Sequence, residues 1–209
     1  MKKMYLFLSM VTVFALALSA CAPAAPVATE PPAPTAVPPT AVPPTATEAP
    51  PAVGSAEHPI KVLFVPSVDA NVIVTGGEVM AAALKEATGL NFEVVVPTSY
   101  AATIEEMCAS PTDTMAFIPA FGYVLANDLC GVDVAFKAVR RGWGVYWTMI
   151  VVARDSDIDS IDDLNGKKFA FPDAGSTSGY LVPSVMLKDA GVTVGEELEA
   201  GGHPQAVRA

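Results

Sequence analysis

Most of this chain's capacity for chemistry lies in one run, Pro172-Asp173-Ala174-Gly175-Ser176-Thr177-Ser178-Gly179-Tyr180-Leu181-Val182-Pro183. A strand end, a glycine-flanked turn and three consecutive hydroxyl residues at a helix start gather backbone N–H groups and O–H donors around one point, an arrangement that holds an anion. The positive end of the helix dipole adds to the attraction over the first turn. Capping the helix needs one of those hydroxyls, and three in a row exceed that need. Pro183 removes an amide from the early helix, so the backbone there is shaped for more than helix stability. Two enzymatic uses of such a turn do not fit. A phosphate loop needs Gly-Lys-Ser/Thr, and no lysine follows Gly179. A nucleophile elbow needs Gly-x-Ser-x-Gly, whereas Thr177 stands midway between Gly175 and Gly179 with no triad behind it.

The elements that must position this turn are legible as β-rich runs alternating with helical ones, which predicts an α/β architecture with a largely parallel sheet. Ile60 to Val65 reads as a buried strand. A loop holding Asp69, Asn71, Gly76 and Gly77 leads to a helix from Glu78 to Ala87, stopped by Gly89. Phe92 to Val96 is a second strand, Tyr100 to Cys108 a helix, Thr114 to Ile118 a third strand, and another helix follows Pro119 through Asn127. Val132 to Val139 and Trp147 to Ala153 read as two more strands, carrying the chain toward a second lobe. Ile161 to Lys168 reads as a short helix and turn before the strand Lys168 to Phe171, which feeds the hydroxyl turn and a helix reaching about Ala190. Gly201 to Ala209 reads as the start of a further loop and helix, so the second lobe is expected to be incomplete at the C-terminus.

The N-terminus has the pattern of an export signal over residues 1–20: Lys2 and Lys3, an apolar run from Leu6 to Leu18, then Leu18-Ser19-Ala20-Cys21, which resembles the bacterial lipobox with Cys21 as the lipidated residue. Residues 21–55 form a linker. Eleven of the nineteen prolines fall between Ala22 and Val53, and polyproline II geometry lets the segment reach roughly 100 Å at about 3.1 Å per residue. Without Lys2 and Lys3 the chain keeps ten Lys and Arg against twenty-two Asp and Glu, which argues against nucleic acid as a partner. It does not argue against an anion, because distant surface charge is screened while hydroxyls and amides act at contact distance. Outside the cytoplasm Cys108 and Cys130 are free to pair, with buried thiols as the alternative. Only His58 and His203 occur, so neither a metal site nor an acid–base pair is expected, and no cofactor is implied. Arg140, Arg141, Trp143, Tyr146 and Trp147 cluster near the crossing between lobes, where the aromatics are expected to pack and the arginines to be solvated. An arginine fork toward an oxyanion is the alternative.

Gly175-Ser176-Thr177-Ser178-Gly179-Tyr180-Leu181-Val182-Pro183, with Gly201-Gly202-His203, resembles the phosphate/phosphite/phosphonate-binding proteins of ABC importers, the PhnD-like group. The likeness runs from about Ile60 to Ala209 and includes Pro97-Thr98-Ser99-Tyr100-Ala101-Ala102, Asp113-Thr114-Met115-Ala116-Phe117 and Asp162-Asp163-Leu164-Asn165-Gly166-Lys167-Lys168. It implies a two-lobed, type II periplasmic-binding-protein-like fold closing over an oxyanion, with a first lobe at 56–146 and a partial second lobe at 147–209. It also implies that Ser176, Thr177 and Ser178 hold the phosphorus oxygens and that His203 reaches the ligand. Where that family often has a tyrosine at the end of the third strand, this chain has Phe117, Ile118 and Pro119, and Tyr100 is the candidate replacement donor.

These features lead to an extracytoplasmic solute-binding lipoprotein, a monomer without catalysis, delivering phosphate, phosphite or a phosphonate to the permease subunits of an ABC importer. The alternatives are a binding protein of the same fold for a sulfonate or thiamine precursor, a ligand-presenting sensor module, and an exported phosphoesterase.

Overall fold

The computed structural model describes residues 49–209. The export signal, Cys21 and the linker as far as residue 48 lie outside the described residues.

Strand β1 (Ile60–Phe64) lies between β2 (Phe92–Val95) and β3 (Thr114–Phe117), and both pairings are parallel, Ile60 facing Phe92 and Lys61 facing Thr114. Val62 and Leu63, adjacent and therefore on opposite faces, are both fully buried, as a central parallel strand requires. Helices α1 (Ala70–Thr88) and α2 (Tyr100–Ala109) carry the chain from β1 to β2 and from β2 to β3, and α3 (Ala120–Cys130) follows β3. Ile104 and Met107 of α2 are buried on one side. The structure joins Cys108 to Cys130, Cα atoms 5.6 Å apart, tying the end of α2 to the end of α3. At the entrance to β1, His58 sets one ring nitrogen 2.7 Å from Asp113 Oδ2 and the other 3.1 Å from the Pro51 carbonyl.

Helix α1 begins eight residues before the expected start at Glu78, because residues that look like a loop are used otherwise. Asp69 caps the helix by accepting from the Asn71 amide at 3.0 Å. Gly77 is a packing glycine: a Cβ there would lie 2.7 Å from Val94 Cγ1 and 3.2 Å from Phe64 Cε2. The far end behaves as expected, Gly89 adopting φ 76° and returning its N–H to the Lys85 carbonyl.

A second sheet pairs β4 (Lys168–Phe171) in parallel with β5 (Glu196–Glu199), a strand whose Glu-Glu-Leu-Glu sequence gives no apolar signal. Helix α4 (Val182–Asp189) covers it, and α5 (His203–Arg208) follows β5. Leu164, Phe171 and Leu187 are buried together, with Ile158, Tyr180 and Val192 packed around them.

The runs 132–139 and 147–153 are not the strands their composition predicts. Among the described residues they pair with no strand; between them a single bridge joins Arg140 to Trp143 across a turn in which Arg141 and Gly142 take φ 52° and 83°. A strand is a pairing as much as a propensity, and no described strand runs beside them. Phe136 and Trp147 are therefore 91% and 77% exposed.

Candidate functional site

The order β2-β1-β3 means that the chain leaves β1 toward one side and crosses to the other, so the carboxyl ends of β1 and β3 flank a topological switch point, where open α/β sheets place ligands. The hydroxyl turn, at the carboxyl end of β4, meets this edge at two places, and the start of α5 meets it at a third. Thr177 Oγ1 accepts from the Phe121 amide at 2.8 Å, Asp173 Oδ2 accepts from the Tyr100 amide at 3.2 Å, and the His203 amide donates to the Ser67 carbonyl at 3.2 Å.

The local backbone explains why the turn is wide. Ser176 caps it, its Oγ accepting from the Gly179 amide at 3.1 Å, and its carbonyl accepts from both Tyr180 and Leu181 at 3.0 Å. The result is one π-turn, Thr177–Leu181, and such turns concentrate at functional sites. Continuing that pattern, the amide at 183 would address the Ser178 carbonyl five residues back. Residue 183 is proline and lacks that amide, and the Ser178 carbonyl accepts from Thr148 Oγ1 instead. The proline thus ends the π-turn and starts α4 without wasting a donor. Gly179 is obligatory, since a Cβ there would sit 2.1 Å from Pro172 Cγ.

Ser176 is the centre of the arrangement, 2% exposed, with His203 Nε2 3.4 Å from its hydroxyl and Tyr100 packed against the adjoining Gly175. Burial pushes the Tyr100 phenol up to about 12; Asp173 and Tyr146 add to the rise and Ser176 opposes it, so the phenol keeps its proton and remains a donor. Burial lowers the His203 imidazole below its ordinary range, which keeps it neutral in the absence of a bound anion.

Of the residues singled out in the sequence, Tyr100, Ser176 and His203 converge. Thr177 stands beside them at the first turn of α3, whose own N-cap residue, Pro119, supplies no side-chain bond. Ser178 is engaged through its carbonyl. Phe117 stacks on Phe64 with ring centres 4.9 Å apart, so the end of β3 is packing, and the α3 amides are what the first sheet presents there. Trp143 and Trp147, expected to pack, are 64% and 77% exposed, and Arg140 and Arg141 are exposed as expected. Sequence reasoning missed Asp173 and the Phe121 amide. Asp173 carried a signal, a carboxylate beside an anion-binding turn, but the amide of a particular residue carries none. Among the described residues no cluster of His, Cys, Asp and Glu is placed to hold a metal ion, and no helix is long and apolar enough to cross a membrane.

Residues 62–209 match the family model described as ABC transporter, phosphonate, periplasmic substrate-binding protein. The phosphate-import protein PhnD of Mycolicibacterium smegmatis is 31% identical over 140 residues, covering 60% of this chain and 43% of that protein. A crystal structure of a binding protein component of an ABC phosphonate transporter from Pseudomonas aeruginosa superposes with a TM-score of 0.58 at 20% identity, over 67% of this chain and 49% of that one. PhnD1 from Prochlorococcus marinus, in complex with methylphosphonate, superposes with a TM-score of 0.53 at 17% identity, over 71% and 58%. The chain therefore spans about half the length of the proteins it resembles.

Proposed function

The chain belongs to the family of periplasmic substrate-binding proteins of phosphonate ABC transporters, and from that premise we propose that it captures a phosphorus oxyanion, phosphate, phosphite or a phosphonate, and presents it to the permease subunits of an importer. Residues 56–146 form the first lobe on this reading and 147–209 belong to the second. The hydroxyls of Ser176, Thr177 and Ser178, with the amides of their turn, hold the phosphorus oxygens, while Tyr100 and His203 supply donors from either side. Nothing in the mechanism requires a bond to break. Binding dehydrates the anion, the lobes close over it, and the closed form is what the permease recognises. Cys21 carries the lipid that keeps the monomer at the outer face of the membrane, and residues 21–55 give it reach.

The observation that carries the proposal is the convergence of Tyr100, Ser176 and His203, from three separate elements, on a turn at the carboxyl ends of both sheets. Calorimetric titration with phosphate, phosphite, methylphosphonate, sulfate and a thiamine precursor tests it. We expect saturable binding of one of the three phosphorus anions, weakened at least tenfold by Ser176→Ala or Thr177→Val, since each removes a directed hydroxyl from the turn. Indifference to all three phosphorus anions, or tighter binding of sulfate or the thiamine precursor, would refute it. The anchor has its own test: Cys21→Ala should move the exported protein from the membrane fraction to the soluble one, and continued sedimentation with membranes would contradict lipidation.

A further inference from the structure

We propose that Asp173 is a positioning residue whose buried carboxylate clasps the hydroxyl turn to the first turn of α2 and so fixes how the two lobes meet; this rests on the binding function proposed above. Asp173 is 6% exposed, and its two carboxylate oxygens are divided between two parts of the fold. Oδ1 accepts from the Gly175 amide at 2.7 Å, within its own turn, and Oδ2 accepts from the Tyr100 amide at 3.2 Å, 73 residues away. The Asp173 carbonyl accepts from the Ser176 amide at 3.0 Å, so the same residue also fixes the serine at the centre of the site.

Helix α2 is built to receive this clasp. Its local cap, Ser99, accepts from the Ala102 amide at 3.0 Å, which leaves the Tyr100 amide for a partner from elsewhere. A carboxylate at a helix N-terminus is also favoured by the helix dipole. The approach is closer than any residue larger than glycine permits, since a Cβ at position 175 would stand 2.7 Å from Tyr100 Cβ. A ligand held by neutral donors gains nothing from a nearby carboxylate of its own sign, so its place in this site is explained by what it positions. Both oxygens are spent on main-chain amides, and the carboxylate meets an arriving anion with its acceptors already satisfied.

Asp173→Asn tests the clasp. An asparagine retains one acceptor and turns an N–H donor toward the other amide, so one of the two bonds becomes a donor–donor contact. Spin labels at Glu86→Cys and Asp189→Cys, exposed positions on α1 and α4, report the separation of the two sheets without any ligand. With Asp173 intact the distance distribution should be narrow; in the Asn variant it should broaden and lengthen. Where methylphosphonate binds the parent protein, the variant should bind about ten- to a hundredfold more weakly, the range expected for one orphaned buried amide, and the loss should lie in faster dissociation with association unchanged. Gly175→Ala, which forces the turn away from Tyr100 with Asp173 still present, should broaden the distances in the same way and guards against an Asn variant that fails to fold. Unchanged distances in both variants, or a loss of affinity confined to slower association, would overturn the clasp. A parent protein that binds none of the phosphorus anions but whose distances respond to Asp173→Asn would refute the ligand assignment and leave the clasp standing.

Discussion

Ser176 shows how a small polar side chain can be fully buried and still be available. Its oxygen accepts from Gly179 and lies near His203 Nε2. A hydroxyl can donate as well as accept, so rotation of the Ser176 O–H re-aims it at an incoming oxygen without moving the backbone. His203 adds a titration. Burial lowers its folded pKa from the ordinary 6.5, and a bound anion favours the imidazolium and raises it again. A proton is therefore taken up on binding in the window above the lowered value of the free protein and below that of the complex, so affinity should strengthen as pH falls through that window and level off beneath it. The ligand's own ionisation acts equally on a variant, so the readout is a ratio. The affinity of the parent relative to His203→Gln should grow between about pH 8 and about pH 5.5, and a flat ratio would show that the imidazole does not couple to the ligand. The hydroxyl run announced itself in the sequence because three adjacent side chains share one chemistry. The pairing of Thr177 with the Phe121 amide did not, because main-chain donors have no letter in the sequence.

Among the elements, α1 carries the clearest test of what a glycine is for. Gly76 and Gly77 are neighbours in one helix and read alike as loop residues, yet their surroundings are opposite. A Cβ at Gly76 meets nothing within 4 Å, while one at Gly77 meets Val94 and Phe64 at 2.7 and 3.2 Å. Gly76→Ala should raise stability by about 0.5–1 kcal/mol, since the helix loses a flexible unfolded reference and gains propensity. Gly77→Ala should lower it by about 1–3 kcal/mol through overpacking against the sheet. Urea unfolding of the two single variants checks both signs, and equal effects would mean that α1 does not sit on β1 and β2 as described. The same contrast marks what was legible. Strands β1 to β4 and the helices α2 and α3 could be read because apolar runs bounded by Gly, Pro and Ser state their own period. The start of α1 could not, because a packing glycine and a turn glycine are the same residue. Strand β5 could not, since its main-chain pairing with β4 buries almost none of its side chains.

Over the whole molecule the puzzle is electrostatic: a chain with a formal charge of −10 is proposed to capture an anion. Its lysines offer no general answer. Lys61, Lys167 and Lys168 are each paired with a carboxylate, Glu106, Asp157 and Glu196, at partly or largely exposed positions where water screens such pairs. On the proposed binding mode the donors are instead neutral hydroxyls, main-chain amides and an imidazole that is uncharged before binding, all working at contact distance. Surface charge acts over the Debye length, about 10 Å at 0.1 M salt, and direct hydrogen bonds in a closed cleft are hardly screened. Binding of methylphosphonate should therefore change by less than about threefold between about 0.02 and 0.5 M sodium chloride, and association should become slightly faster as salt screens the repulsion between ligand and protein. The contrary outcome is specific. An affinity that falls tenfold or more with salt would require a cationic side chain to close on the ligand, and the exposed Arg140 and Arg141 beside the lobe crossing are the residues whose substitution by Gln should then abolish the dependence.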